Sequence, residues 1–144
     1  MSYPGLVRYN TENEYRKHYE AGYCTKKSDI KTFDGIPVYF KKNSFDHAFY
    51  ESSHRGKTKN TFSRQRAERV DWIATALADA SGELYIGWDK KRKRFDKTRR
   101  VCIVQRNYVV VIRFNRLRTK AFFVTAFVAD TPKTIRKIRR NPKW

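Results

Sequence analysis

The sequence predicts an α+β domain in which N-terminal helices pack on one face of an antiparallel sheet of about four strands. Three observations carry this expectation. Helix signals, side-chain caps followed by apolar residues at three- and four-residue spacing, lie before residue 81. Strand signals, runs rich in β-branched and aromatic residues, fill residues 83–128. The links between most of those runs are short, which favours antiparallel neighbours. Helices followed by a meander cover one sheet face and leave the other open.

Along the chain, Thr11-Glu12-Asn13-Glu14 reads as a capping box with Thr11 as N-cap, and the helix it starts should run to about Ala21 and stop at Gly22. Residues 30–33 and 36–40 read as extended pieces joined by Asp34-Gly35, a strong hairpin signal. Pro37 restricts the second piece to a sheet edge. Residues 1–43 thus form an N-terminal arm with a short helix and a hairpin, and residues 44–144 form the main domain with a basic C-terminal tail. Ser44 can cap a helix over residues 45–52, with Phe45, Ala48, Phe49 and Ser52 on one side and His47, Tyr50 and Glu51 on the other. The polar segment 53–60, with Gly56, reads as a loop. Ser63 caps a longer helix to about Ala80, its stripe formed by Phe62, Arg66, Val70, Ile73, Ala74 and Leu77.

Strands are expected at 83–88, 101–105, 108–114 and 121–128. The run 89–100 holds eight basic residues and two acidic ones and reads as a solvated turn or loop. Arg106-Asn107 gives a tight turn and residues 115–120 a longer basic one. Asp130 or Thr131, with Pro132 at the first helical position, starts a final basic helix or tail. Parity puts Val109, Val111 and Arg113 on one face of the third strand. On the fourth, Phe122, Val124, Ala126 and Val128 form a wholly apolar core-side set, leaving Phe123, Thr125 and Phe127 with Arg113 on the open face; a bulge would invert this.

Composition narrows the function. Hydrophobic residues make up 40% and aromatics 15%, which excludes a disordered chain. No run approaches a membrane span, and residues 1–6 do not look like a signal peptide. Cys24 and Cys102 are too few for a disulfide scaffold and lie in no zinc-like cluster, so a cytoplasmic protein without metal or cofactor is expected. The 33 Lys and Arg stand against 14 Asp and Glu, a net charge of +19, where solubility needs a magnitude of only about 2–8. A polyanion, nucleic acid first, is the natural partner. A membrane surface is disfavoured, because the basic tail offers few apolar anchors beyond Ile135, Ile138 and Trp144.

RNA can be cleaved without metal when a base deprotonates the 2′-OH, an acid protonates the leaving oxygen and cations hold the phosphorane. The chain has no carboxylate-rich metal motif, which favours this chemistry and RNA over DNA. His47, off its helix's apolar stripe, is the first acid or base candidate; a surface or structural histidine is the alternative. His54 lies in the loop, and His18 reads as solvated. Arg66 and Arg69, spaced i, i+3, could clamp one phosphate or pair with Glu68, Asp71 or Glu51. Arg55 could close over a bound strand or stand solvated. Arg113 and Thr125, on adjacent strands, could form a small phosphate site or a plain polar surface. Lys90, Lys91, Arg92, Arg94 and Arg99 form an electrostatic grip on backbone phosphate, and the six basic residues of 133–143 share that role. Phe95 and Tyr108 are candidate base stackers. Trp72, Trp88 and Trp144 read as core or cap residues.

The series Phe45-Asp46-His47-Ala48-Phe49-Tyr50-Glu51, the stretch Phe62-Ser63-Arg64-Gln65-Arg66-Ala67-Glu68-Arg69-Val70-Asp71-Trp72-Ile73, the Tyr85-containing strand, the 108–113 strand and Phe123-Val124-Thr125-Ala126-Phe127 together resemble the phage-associated Barnase–EndoU–colicin–RelE-like (BECR) nucleases over about residues 40–130. The resemblance implies N-terminal helices packed on a curved four-stranded antiparallel sheet (BECR-like) and a metal-independent endoribonuclease, toxin-like or prophage-encoded, cutting tRNA or mRNA. By the same resemblance His47 is the acid or base, Arg66 and Arg69 hold phosphate and Thr125 positions it. The partners would be RNA and, for a toxin, an acidic immunity or antitoxin protein. The competing expectation is a non-catalytic phage nucleic-acid-binding protein on the same fold. An enzyme should gather His47, an arginine and Thr125 within about 5–8 Å at their tips, whereas a binder would scatter them.

Overall fold

The computed structural model describes residues 2–25, 29–52 and 61–144. Its described elements run α1 (Glu12–Tyr23), β1 (Val38–Tyr39), α2 (Ser44–Ala48), β2 (Tyr50–Glu51), β3 (Thr61–Phe62), α3 (Arg64–Ala67), α4 (Trp72–Ala78), β4 (Glu83–Asp89), β5 (Arg94–Val104), β6 (Tyr108–Phe114), β7 (Ala121–Val128) and α5 (Pro132–Ile138). The architecture is α+β: an open five-stranded sheet in the order β1-β7-β6-β5-β4, and a two-stranded ribbon of β2 and β3. The main sheet is mixed. The expected antiparallel meander is present as β4 to β7, and β1 adds a fifth strand parallel to β7.

The predicted capping box forms: Thr11 accepts from the Glu14 amide, and Glu14 accepts from the Thr11 amide. Gly22 does not stop α1, which reaches Tyr23 with Cys24 as its cap. Its core face is made of tyrosines. Tyr15, Tyr19 and Tyr23, four residues apart, are buried, and their hydroxyls donate to the carbonyls of Val7, Lys41 and Val70. Each ring fills the core while its polar tip is satisfied. The segment expected to be an arm therefore contributes to the same core as the sheet. Asp34-Gly35 makes the predicted turn, with Gly35 at φ +85 and the Thr32 amide donating to Ile36. β1 follows Pro37 at the sheet edge, as its missing N–H requires.

Two helices are shorter than periodicity suggests. Ser44 is the first residue of α2 and not its cap; the helix ends at Ala48, and β2 begins at Tyr50. The expected long helix from Ser63 is split. Ser63 does cap α3 through the Arg66 amide, but the Tyr23 hydroxyl then enters the helix ladder, donating to Val70 O and accepting from the Ala74 amide. An inserted polar group of this kind breaks helical continuity. Residues 68–71 accordingly form a turn tightened by i→i+3 bonds.

Two corrections concern the sheet. The run 89–100 is not a loop: β4 and β5 extend into a long hairpin whose turn is residues 90–93. A register shift at Val111/Ile112 also places both Val124 and Thr125 opposite Val111. This bulge inverts the parity of the first half of β7, so Phe123 enters the helix-side core and Phe122 pairs with Arg113 on the other face. The second face is not open throughout. Ile135 of α5, with Ile138, packs on Tyr85, Val101, Ile103, Val109 and Val111. The final residues cover the edge of β4, with Ile86 N donating to Pro142 O and Trp144 N to Leu84 O.

Candidate nucleic-acid interface

No residue of 87–99 in the β4–β5 hairpin belongs to either hydrophobic cluster. There Trp88 and Phe95 stand directly opposite one another. Their rings meet edge to face at 5.0 Å, and they are 44% and 41% exposed. The turn between them and the first residue of β5 carry five exposed cations, Lys90, Lys91, Arg92 and Lys93, then Arg94. Asp89 shapes the turn by accepting from the Lys91 and Arg92 amides. Those donors, led by the Arg92 amide, hold its carboxyl below the usual range. Arg92 approaches Asp89 at 4.0 Å; none of the other four cations is ion-paired among the described residues.

Arg99 and Arg113 face each other across β5 and β6. Gly87 makes room for Arg99, whose Cγ and Cδ would lie 2.5 Å from any Cβ placed at that glycine. Asp96 sits beside them, its Oδ2 3.8 Å from Arg113 Nε. Burial opposes the charge on Asp96, but the Thr98 donors and the two arginines together keep its carboxyl below the ordinary value. Arg99 Nε and Asp96 Oδ2 are buried without hydrogen-bond partners.

The four residues expected to be catalytic each have their own local partners. His47 is exposed on α2, whose Phe45 and Ala48 join Phe123 in the helix-side core. Thr125 belongs to the opposite face with Val111, its Oγ1 buried and unbonded. Arg66 is half-buried; its Nη1 donates to Tyr50 O at 2.9 Å, and its guanidinium lies 5.6 Å from the Phe127 ring. Burial lowers its pKa from the usual arginine value, against the pull of Glu51 and Asp130. Arg69 instead donates to Gln65 O and packs 5.1 Å from Trp72. The two arginines thus serve different partners, and neither forms the expected ion pairs: Glu68 holds Arg8, and Asp71 holds His18. Arg55 and His54 lie outside the described residues.

Three other expectations change. His18 is not simply solvated: it bridges the Tyr9 hydroxyl at 2.8 Å and Asp71 at 2.7 Å, tying α1 to the start of α4. Tyr108 is buried and cannot stack on a base. Trp88, expected as a core or cap residue, is exposed. The only available signal was its distance from Phe95, and that becomes informative only once the intervening charged run is known to be a hairpin. Among the described residues no group of three or more His, Cys, Asp or Glu could hold a metal ion, and no helix is long and apolar enough to cross a membrane. No protein-family model, curated protein or solved structure matches this chain.

Proposed function

We propose that this protein binds single-stranded nucleic acid, RNA first, through the β4–β5 hairpin. The observation that carries this is the exposed Trp88–Phe95 pair beside five exposed cations. Unpaired bases stack on exposed aromatic rings, and cations along the same element follow the phosphates. A membrane ligand fits less well, because the two rings form a small pair and not a broad apolar face.

The test is fluorescence anisotropy with a labelled single-stranded RNA. Base–aromatic stacking is worth about 1–3 kcal/mol per base, so Trp88→Ala and Phe95→Ala should each weaken binding roughly 5- to 150-fold. Wild-type affinity should fall steeply with salt. A double variant that binds as tightly as wild type overturns the proposal. The same samples, held in chelator and run on a denaturing gel, test for chemistry. Intact RNA agrees with a non-catalytic binder. Cleavage that disappears in His47→Ala would instead favour the metal-independent endoribonuclease implied by the BECR resemblance.

A further inference from the structure

We propose that the outer face of α5 is a second phosphate-binding surface, so that the ligand is a strand long enough to engage α5 and the β4–β5 hairpin together. This rests on the nucleic-acid reading of the hairpin and specifies the length and path of its ligand. Lys133, Arg136 and Lys137 follow i, i+3, i+4 spacing on one side of α5, and Arg140, in the turn just beyond its end, lines the same hollow. All four are exposed and line one shallow hollow. Among the described residues none of them is ion-paired, whereas neighbouring Arg139 makes a two-pronged bond to Glu83 at 3.0 and 2.9 Å. Like charges at this spacing repel, and an anion laid along the face relieves that repulsion.

The surface is also rigidly mounted. Ile135 and Ile138 pack on the sheet beneath it. Asn141 donates to Ile86 O, and the Arg139–Glu83 pair fixes α5 at the start of β4. The hairpin turn follows the other end of that strand. Asn141 reaches Ile86, three residue steps from Asp89, and Arg139 reaches Glu83, six steps away, so at about 3.3 Å per step the two surfaces lie about 10–20 Å apart along the strand. At about 3.4 Å per stacked nucleotide, that gap takes about three to six nucleotides. A four-nucleotide strand therefore occupies one surface, while a fifteen-nucleotide strand reaches both. Linked sites of this kind raise affinity by about 10²–10⁴ without any new contact.

The experiment compares a 4-mer and a 15-mer of oligouridylate on the full chain. The wild-type protein should bind the 15-mer at least about 100-fold more tightly, where the extra binding registers alone give about 10-fold. With Lys133, Arg136, Lys137 and Arg140 changed to Gln, that ratio should fall to about 10-fold and the logarithmic salt slope for the 15-mer should shrink by up to about 3. On the unmodified protein, the 15-mer should shield Lys133 and Lys137 from acetylation more than the 4-mer does. An unchanged ratio in the variant, or equal labelling with both strands, overturns the second surface. Wild-type 4-mer affinity in the Trp88→Ala, Phe95→Ala protein overturns the hairpin reading instead, so the two failures are distinguishable.

Discussion

Replacing Asp34 by Asn would leave a guanidinium stranded inside the protein. Arg100 is 5% exposed, and its Nη1 and Nη2 reach the two Asp34 oxygens at 3.1 and 2.8 Å. The rings of Phe33, Phe114 and Trp144 lie 5.5, 4.7 and 4.9 Å from its guanidinium carbon. Removing one member of a buried pair costs about 3–5 kcal/mol. Here the carboxylate is 40% exposed and the three rings retain part of the attraction, so we expect about 2 kcal/mol. For a chain of this size that lowers Tm by about 4–8 °C. Acid pH should act through the same bond. The Arg100 hydrogen bond is the main reason that Asp34 is pulled down to about 2, against about 3.9 in an unfolded chain. Its folded-state pKa is depressed, so the stabilisation is complete above about pH 4 and is lost as pH falls through about 2. Discounted for exposure, it amounts to about 1 kcal/mol. Urea unfolding followed by tryptophan fluorescence at pH 7, 4 and 2 measures both effects. An Asp34→Asn midpoint equal to wild type at pH 7, or a wild-type advantage undiminished at pH 2, would refute the reasoning.

Two further substitutions probe the core. Tyr23→Phe removes the hydroxyl that links Val70 O to the Ala74 amide and leaves both groups without it in the interior. A loss of about 1–3 kcal/mol is expected in urea unfolding, and a variant as stable as wild type would show that the helix break does not depend on the hydroxyl. Gly82→Ala sets a methyl 2.6 Å from Cys102 Sγ, which is buried beside Val104. The overlap should cost about 1–3 kcal/mol in thermal unfolding, and an unchanged Tm would mean that the strand start shifts freely.

The parts of this fold legible in the sequence are those set by neighbouring residues. The Thr11–Glu14 capping box, the Asp34-Gly35 turn, the edge position forced by Pro37 and the bounds of β6 and β7 each depend on a few consecutive side chains. The proposed polyanionic ligand rests in part on composition alone, through the net charge of +19. The outer half of the β4–β5 hairpin was hidden because neither of its faces joins a hydrophobic cluster, so no apolar alternation marks it as strand. For the same reason Trp88 could not be matched to Phe95.

Everything that required two distant segments to meet was decided by tertiary structure. The Tyr23 hydroxyl splits a helix nearly fifty residues away. A bulge at Val124 and Thr125 chooses which phenylalanine of β7 enters the core. Arg100, one of eight cations in the run 89–100, becomes a buried anchor because Asp34 and three rings arrive around it. Local patterns carry propensity and parity. Burial, bond partners and the sidedness of a site belong to the packed chain, because each depends on which remote surface excludes the water.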